Sequence, residues 1–171
     1  MYTFRVVRVF TATLAAISAA AQAGTIYVST GGNDGNDGLT WASAKRTVQA
    51  AVNVAQSDDR VWVAAGTYMQ RLSLRAGIAL YGGFIGNETD LSQRDWTTNQ
   101  TILDGNYGGS VVTVSSGSRV DGFIIRNGKS LYGGGIYCSG SVTITNNIIT
   151  SNTVGMAPNF VGYGGGIYCS G

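Results

Sequence analysis

Short runs of alternating apolar and polar residues follow one another along most of the chain from residue 61 onward. A period of two is typical of β-strands that bury one face, and Gly, Asn, Asp or Ser separates nearly all of the runs. The pattern therefore predicts an all-β protein with many short strands, VWVA (61–64), LSL (72–74), IALY (78–81), TIL (101–103), VVTV (111–114), VDGFII (120–125), GIYC (135–138), VTIT (142–145) and IIT (148–150).

One earlier region has a different period and predicts a helix. Four apolar residues recur there at i, i+3, i+4 and i+7, which places them on one helix face: Val48, Ala51, Val52 and Ala55. Thr47 is suited to be the N-cap, because its hydroxyl can accept a hydrogen bond from an otherwise unpaired backbone N–H. We expect this helix to end near residues 57–58, and residues 24–60 to form a strand, a polar loop and the helix.

A nine-residue segment, YGGGIYCSG, occurs at 132–140 and again at 163–171, 31 positions apart. Repetition at such an interval is typical of stacked units that bury their apolar faces against one another. We therefore expect residues 61–171 to form coils of a β-solenoid, with the two copies in the same corner and strand of successive coils. Because the second copy breaks off within the unit, the sequence also predicts further coils after it.

A diverged coil before the repeat predicts how the coils stack. Aligning FIIRN (123–127) with VTITN (142–146) places Asn127 over Asn146 and predicts an asparagine ladder at the bend. The rest of the second repeat, TVGMAPNFVGY (153–163), is expected to be an extruded loop. The stacking interpretation depends on parallel neighbouring strands and on closeness of the two asparagines.

Two parts of the sequence resemble a known family. The segment YVSTGGNDGNDGLTWASAKRTVQAAV is similar to the start of many secreted β-helix proteins, including some polysaccharide lyases. GGGIYC and TITNNIITSN are similar to the coils of polymorphic outer-membrane-protein-like repeats. Together they resemble the right-handed parallel β-helix of the pectin-lyase-like superfamily. The resemblance implies that solenoid fold, with the helix capping its open end, and leaves the function open because this fold hosts several functions.

The first 23 residues have the features of a secretory signal peptide cleaved after Ala23. Arg5 and Arg8 precede an apolar stretch too short to span a bilayer, and small residues follow at Ala21 and Ala23. Without these two arginines, 9 of the 11 basic residues stand against 9 acidic ones, so the charge balance gives no indication of nucleic acid binding. No later apolar run reaches membrane-spanning length, and we expect a secreted or cell-surface protein.

The two cysteines, Cys138 and Cys169, occupy equivalent positions in the repeated segment. In stacked coils they would lie one strand spacing apart, about 4.8 Å, and an exported chain meets oxidising conditions, so one alternative is a disulfide. The other is a pair of unlinked small hydrophobic residues inside the solenoid. The sequence favours the second alternative, because Cys138 has the same parity as the apolar Ile136.

The loop NDGNDG presents oxygen atoms of the kind that Ca²⁺ prefers, from Asn33, Asp34, Asn36 and Asp37. Its spacing is not that of an EF-hand. Asn-Asp-Gly triplets are also typical of tight turns, since these residues tolerate left-handed backbone angles. The sequence favours a plain turn over a calcium site. Calcium at this loop is the one cofactor for which the sequence offers ligands, and no other cofactor is expected.

Most charged candidates for ligand binding precede the clear repeat. Arg94, Asp95 and Trp96 form the trio best suited to a glycan, because an aromatic face can stack on a pyranose while Arg and Asp bind hydroxyls. Asp104 follows them and is a further candidate for a glycan contact. Loops more commonly hold such residues as an Arg–Asp pair, with the tryptophan folded over the edge of a coil. We favour this structural arrangement over a glycan-binding site.

No catalytic residue can be assigned from the sequence. After Arg126 the only charged residue is Lys129, so the repeated coils lack the carboxylates of a hydrolase and the clustered charges of a lyase. The leading hypothesis is a β-helix scaffold or binding module for a polysaccharide or a cell-surface partner. The alternative is a pectate-lyase-like polysaccharide lyase whose catalytic coils lie beyond residue 171, and a structural stalk is a third hypothesis.

Overall fold

The computed structural model of the chain describes residues 23–155 and 161–171. The predicted signal peptide lies outside these residues except for Ala23, and part of the predicted extruded loop, 156–160, lies outside them as well. Both therefore stay predictions. Within the described ranges, no helix combines the length and the apolar character needed to cross a membrane.

Short strands make up most of the described chain, together with one α-helix and one 3₁₀ helix. In chain order the elements are β1 Thr25–Val28, α1 Val48–Val54, β2 Arg60–Ala64, β3 Gly66–Met69, β4 Leu72–Leu74, β5 Ala79–Phe84, η1 Leu91–Gln93, β6 Thr101–Asp104, β7 Val112–Val114, β8 Arg119–Asp121, β9 Phe123–Arg126, β10 Lys129–Ser130, β11 Ile136–Ser139, β12 Thr143–Thr145, β13 Ile148–Thr150, β14 Thr153–Val154 and β15 Ile167–Ser170. The prediction of a mainly β chain with one early α-helix is confirmed.

The strands pair in parallel and form three main sheets. Sheet A has the order β1-β2-β5-β8-β12, sheet B has β3-β6-β9-β13, and sheet C has β4-β7-β11-β15. From β2 onward the chain enters sheets A, B and C in turn and then returns to sheet A, with the small β10-β14 pair as an addition. Each sheet thus receives one strand from every round, which is compatible with a β-helix-like solenoid.

Register stacks apolar residues into columns in the core. In sheet B, Leu103 pairs with Ile125, and Ile125 pairs in turn with Ile149. In sheet C, Leu74 pairs with Val114 in the same way. Four of these five side chains are essentially inaccessible to solvent, Ile149 being partly buried. Full burial of each such side chain stabilises the fold by about 1.5–3 kcal/mol, so the columns are the main source of stability.

The predicted helix is present and begins where expected. The Thr47 hydroxyl accepts a hydrogen bond from Ala50 N at 3.2 Å, which confirms its role as the N-cap. The predicted apolar stripe is buried in the core, from Val48 to Ala55. The helix ends at Val54, earlier than predicted, because Ala55 already has an extended backbone conformation. It packs against β1, β2 and β4, the strands with which sheets A and C begin.

The predicted register between the diverged coil and the repeat is wrong. The alignment placed Asn127 over Asn146, whereas the structure pairs Ile125 with Ile149, an offset of 24 residues. The alignment matched β9 of sheet B with β12 of sheet A. Both are short alternating runs, and a period of two does not reveal to which sheet a strand belongs.

The two asparagines consequently lie at the ends of strands in different sheets. Each forms a bend, with φ of 57° at Asn127 and 55° at Asn146, but no ladder joins them. Asn127 Nδ2 donates to Asp104 Oδ2 at 2.9 Å, and Asn146 Nδ2 donates to Asp121 Oδ1 at 3.0 Å. The parallel strands required by the stacking interpretation are therefore found, and the asparagine contact is not.

The two copies of the nine-residue segment do lie over each other, as predicted. Tyr132 bridges to Tyr163, and β11 pairs with β15 residue by residue. The glycines of the segment allow this close approach. A Cβ added to Gly134 would lie 2.5 Å from Thr153 O and 2.7 Å from Gly165 O, so a side chain at Gly134 would force neighbouring backbones apart.

Candidate functional site

The outward-facing residues of sheet C form one continuous column. In β4, β7 and β11 the residue between two buried apolar residues faces outward. Register places Ser73 beside Thr113, Thr113 beside Tyr137, and Tyr137 beside Tyr168. The four strands of sheet C contain no charged residue. The column therefore changes from hydroxyl side chains to aromatic ones without any change of charge.

Two further tyrosines extend the aromatic end of this column. The rings of Tyr132 and Tyr163 are nearly parallel, with centroids 6.2 Å apart, and those of Tyr137 and Tyr168 are nearly parallel at 5.9 Å. The ring centroids of Tyr132 and Tyr168 are 5.1 Å apart, and this contact joins the two pairs. Tyr132 is 41% exposed and Tyr163 is 55% exposed. We call these four residues the tyrosine surface.

The disulfide Cys138–Cys169 lies beneath the tyrosine surface. Each cysteine follows a surface tyrosine in its strand, so alternation turns Cys138 inward, where it is fully buried over Val114. Sequence reasoning favoured two unlinked thiols, and that interpretation is wrong. The in-register pairing of β11 with β15 sets the two Cα atoms 4.5 Å apart, within the range that a disulfide requires.

The tyrosine surface combines apolar ring area with hydroxyl groups. The Tyr137 hydroxyl lies 3.2 Å from Ser170 Oγ, which fixes one ring in place. Tyrosine has few rotatable bonds, so it presents its area at low cost in conformational entropy. Its ring packs against apolar faces while its hydroxyl donates or accepts hydrogen bonds. Such a surface suits a ligand that has both apolar faces and hydroxyls.

Arg94, a predicted glycan contact, is held in a buried ion pair. Its Nη2 lies 2.7 Å from Asp121 Oδ1, and its guanidinium lies over the Tyr81 ring at 5.2 Å. Burial acts to raise the pKa of Asp121, but hydrogen bonds from Arg94 and Asn146 outweigh it and lower that pKa. The arginine thus pairs with Asp121 of sheet A and not with Asp95, so the predicted Arg–Asp pair within the loop is wrong, and the sugar contact stays a prediction.

Asp95 and Trp96 lie on the same loop but serve its conformation. Asp95 Oδ1 accepts hydrogen bonds from the hydroxyl and amide of Thr97 and from the amide of Thr98, and these bonds lower the pKa of Asp95. Trp96 is 36% exposed, and its backbone lies so close to Gly83 that a Cβ there would be 2.6 Å from Trp96 Cα. The backbone and Cβ of Trp96 therefore lie against sheet A, which agrees with the tryptophan part of the favoured arrangement, although the side chain stays partly exposed.

Asp104, the last predicted glycan contact, belongs to a separate network on sheet B. Its Oδ2 accepts hydrogen bonds from Arg126 Nε and from Asn127 Nδ2, both at 2.9 Å, and its Oδ1 accepts one from Asn106 N at 3.1 Å. Burial acts to raise the pKa of Asp104, but these bonds together lower it. The polar candidates thus have separate partners: Arg94 pairs with Asp121, Asp95 bonds within its own turn, and Asp104 pairs with Arg126 and Asn127.

The NDGNDG loop uses its oxygens for its own turns. Asn33 Oδ1 accepts a hydrogen bond from Gly35 N, and Asp37 Oδ1 accepts from Leu39 N, each at 2.9 Å. Asp34 Oδ1 accepts from Arg46 N and Thr47 N. Burial acts to raise the pKa of Asp34, and the bonds from Thr47 and Arg46 lower it overall.

A positive charge of the protein itself already lies inside this loop. Lys45 is 7% exposed, and its Nζ donates to Asp34 O at 3.0 Å and also to Asn36 O. Asn36 in turn donates from Nδ2 to Ala44 O. The geometry therefore favours the plain turn over calcium. Within residues 23–155 and 161–171, no three His, Cys, Asp or Glu residues are grouped so that they could hold a metal ion.

The sequence analysis did not predict the tyrosine surface, although the alternation of residues in the repeated segment indicates it. Tyr137 and Tyr168 have opposite parity to the neighbouring Ile and Cys residues, so they had to face outward once those residues faced inward. The fold and this surface together define a parallel β protein with an uncharged aromatic face. Comparisons with protein-family models, with curated proteins and with solved structures find no match for this chain.

Proposed function

We propose that this chain forms a secreted or cell-surface binding module for glycans, built on a right-handed parallel β-helix of the pectin-lyase-like kind. The cycle of strands through sheets A, B and C supports the solenoid, because each round returns to pair with the strand one round earlier. The features of residues 1–23 support export.

The tyrosine surface is the single observation that carries the binding function. It brings together four aromatic rings, two exposed and two partly exposed, beside the outward hydroxyl residues Thr113 and Ser73. Exposed aromatic residues that touch one another need a reason, since soluble proteins rarely leave contiguous apolar patches uncovered. A sugar offers apolar C–H faces for the rings and hydroxyls for the tyrosine oxygens, which makes a glycan a chemically matched ligand.

A double substitution, Tyr137→Ala with Tyr168→Ala, tests this proposal. The secreted protein would be incubated with insoluble polysaccharides and with a panel of immobilised glycans, and the bound fraction measured. We expect the wild-type chain to bind at least one glycan, and the double variant to lose about tenfold or more in affinity. Tyr107→Ala is the matched control, because Tyr107 is 56% exposed but bonds to Asn127 beside sheet B.

Two results would contradict the proposed function. If the protein is retained on none of the glycans, the proposal that it is a glycan-binding module is contradicted. Equal losses in the control and in the double variant would show that binding does not involve the tyrosine surface. Circular dichroism of each variant verifies that the fold is retained, and we expect it to be, because the substituted side chains lie outside the core.

A further inference from the structure

We infer that the tyrosine surface takes an uncharged, linear polysaccharide that runs across the strands of sheet C, with one sugar ring beside each strand. This inference rests on the proposed function and specifies its ligand. Two independent observations carry it, the direction in which the aromatic rings are repeated and the absence of charge along the four strands of sheet C.

The rings repeat along the stacking direction. Tyr137 and Tyr168 are 5.9 Å apart, Tyr132 and Tyr163 are 6.2 Å apart, and both steps lead from one round to the next. Neighbouring strands are spaced by about 4.8 Å, which is similar to the length of one pyranose ring in an extended chain. A chain laid in this direction therefore meets equivalent tyrosines, Tyr168 and Tyr137, at two successive sugars.

A ligand running along a strand would not meet this pattern. The positions of the same parity on either side of Tyr137 are Gly135, which is buried just before β11, and Ser139, and neither is aromatic. In contrast, the column across the strands continues from Tyr137 to Thr113 and Ser73, both exposed. Their hydroxyls can donate and accept hydrogen bonds to the hydroxyls of the following sugars.

The charge of sheet C favours a neutral glycan. The ion pairs of the described chain, Arg94–Asp121, Arg119–Asp121 and Arg126–Asp104, lie on sheets A and B. A uronate polymer would bring one carboxylate per sugar to the tyrosine surface, where strands β11 and β15 offer no cation, and partial loss of hydration would be uncompensated there. The arginines nearest the column, Arg71 and Arg75, flank Ser73 at its far end, and both already donate to backbone carbonyls. A neutral sugar has no such penalty.

The experiment compares neutral and acidic oligosaccharides of matched length on the full chain. Gluco-, manno- and xylo-oligosaccharides of two to six rings form the neutral arm, and galacturonate and alginate oligomers form the acidic arm. Affinity is measured by calorimetry at low and high salt. We expect binding in the neutral arm only, with little dependence on salt and with affinity that rises until the oligomer covers the column from Tyr168 to Ser73.

A gain-of-function variant tests whether the bound oligosaccharide runs across the strands of sheet C. Thr113 is exposed and lies next to Tyr137 in the column, so Thr113→Tyr adds a third ring in line. We expect it to raise affinity roughly three- to tenfold for oligomers of four or more rings and to leave dimers nearly unchanged. Thr113→Leu is the matched control, because it adds apolar volume without an aromatic face.

Each contrary outcome has a distinct meaning. Binding of the acidic arm that depends on the tyrosines would overturn the neutral class while the binding function stands. Neutral binding without any gain in Thr113→Tyr would overturn the direction across the strands. Failure of every oligosaccharide and polysaccharide to bind would overturn the proposed function itself.

Discussion

Sheets A and C both carry aromatic residues on their outer faces, and the two faces differ in what covers them. On sheet A, Tyr27 pairs with Trp62, and Trp62 pairs with Tyr81. Trp62 is 4% exposed and stacks on Phe84, with ring centroids 4.7 Å apart, whereas Tyr137 on the outer face of sheet C is only partly buried. The central outward aromatic residue is therefore buried in sheet A and partly exposed in sheet C, while Tyr27 and Tyr81 at its sides in sheet A are partly exposed as well.

Two loops make the difference. Trp41, from the loop between β1 and α1, packs against Tyr27 at 4.7 Å and donates from Nε1 to Glu88 O at 2.9 Å. The loop after β5, which contains Glu88, also brings Arg94 over Tyr81. No strand of sheet C has a comparable cover among the described residues. Outward aromatic residues are therefore candidates for a binding surface only where no loop packs on them.

The largest expected effect is a difference in the free energy of unfolding between a variant on sheet A and a variant on sheet C. Trp62→Ala leaves a cavity beneath the loops of sheet A, and we expect it to lower the free energy of unfolding by about 3–5 kcal/mol in urea denaturation. Tyr137→Ala on sheet C should cost about 1 kcal/mol or less, since it removes an outward side chain. Similar losses in the two variants would contradict the distinction.

Trp62→Phe refines this test, because Trp62 Nε1 is buried and has no hydrogen-bond partner within the described residues. Phenylalanine keeps most of the packing and removes the unsatisfied donor. We therefore expect a clearly smaller loss than for alanine. A loss as large as that of Trp62→Ala would mean that the indole nitrogen has a partner that stabilises the fold.

The disulfide gives the next largest effect and concerns only sheet C. Cys138→Ala with Cys169→Ala opens a loop of 31 residues, and the loss of this cross-link should cost about 3.5 kcal/mol by loop-closure entropy. Because the cysteines lie directly under Tyr137 and Tyr168, we expect glycan affinity to fall with stability. Addition of a reductant to the wild-type chain should produce the same loss, and to the double variant none.

An ion-pair comparison follows, with two arginines in different degrees of burial. Arg94 and Asp121 have side-chain exposures of 11% and 6%. Arg94→Met leaves this buried carboxylate with only the longer 3.4 Å contact to Arg119 and the hydrogen bond from Asn146, and should cost about 2 kcal/mol. The Arg126 side chain is 39% exposed, and Arg126→Met should cost about 1 kcal/mol or less. Chemical denaturation of both variants measures the difference, and equal costs would contradict it.

The sequence predicted those parts of the fold that depend on local pattern. The period of two located most strands, and the apolar stripe with Thr47 located the helix start, because backbone geometry alone determines these patterns. The identical repeat predicted its own stacking correctly. The Asn127–Asn146 register was wrong, since it depends on which sheet each strand enters, and this is set by turns and loop lengths that periodicity does not report.

The candidate site was harder to predict for a related reason. Arg94, Trp96 and Asp104 carry the chemistry that a glycan needs, but long-range partners such as Asp121 and Arg126 determine whether that chemistry is free. Those partners are 27 and 22 residues away along the chain, and a single sequence gives no sign of the pairing. The tyrosines were predictable in orientation but not in exposure, because exposure depends on the absence of a covering loop.

The smallest expected effect is a difference in acid sensitivity between the two faces. Hydrogen bonds and the charge of Arg94 lower the folded-state pKa of Asp121 on sheet A despite its burial, whereas the strands of sheet C contain no group that titrates in acid. As pH falls below about 4, the unfolded chain takes up its proton first, so the stability from Asp121 is complete above that pH and is lost as pH falls through the folded pKa. The expected loss is on the order of 1 kcal/mol for this carboxylate.

Fluorescence of the three tryptophans, Trp41, Trp62 and Trp96, reports on the sheet A side, and glycan binding reports on sheet C. We expect the fluorescence to change at a higher pH than that at which binding is lost, and the reverse order would contradict the proposed division between a covered face and an open one.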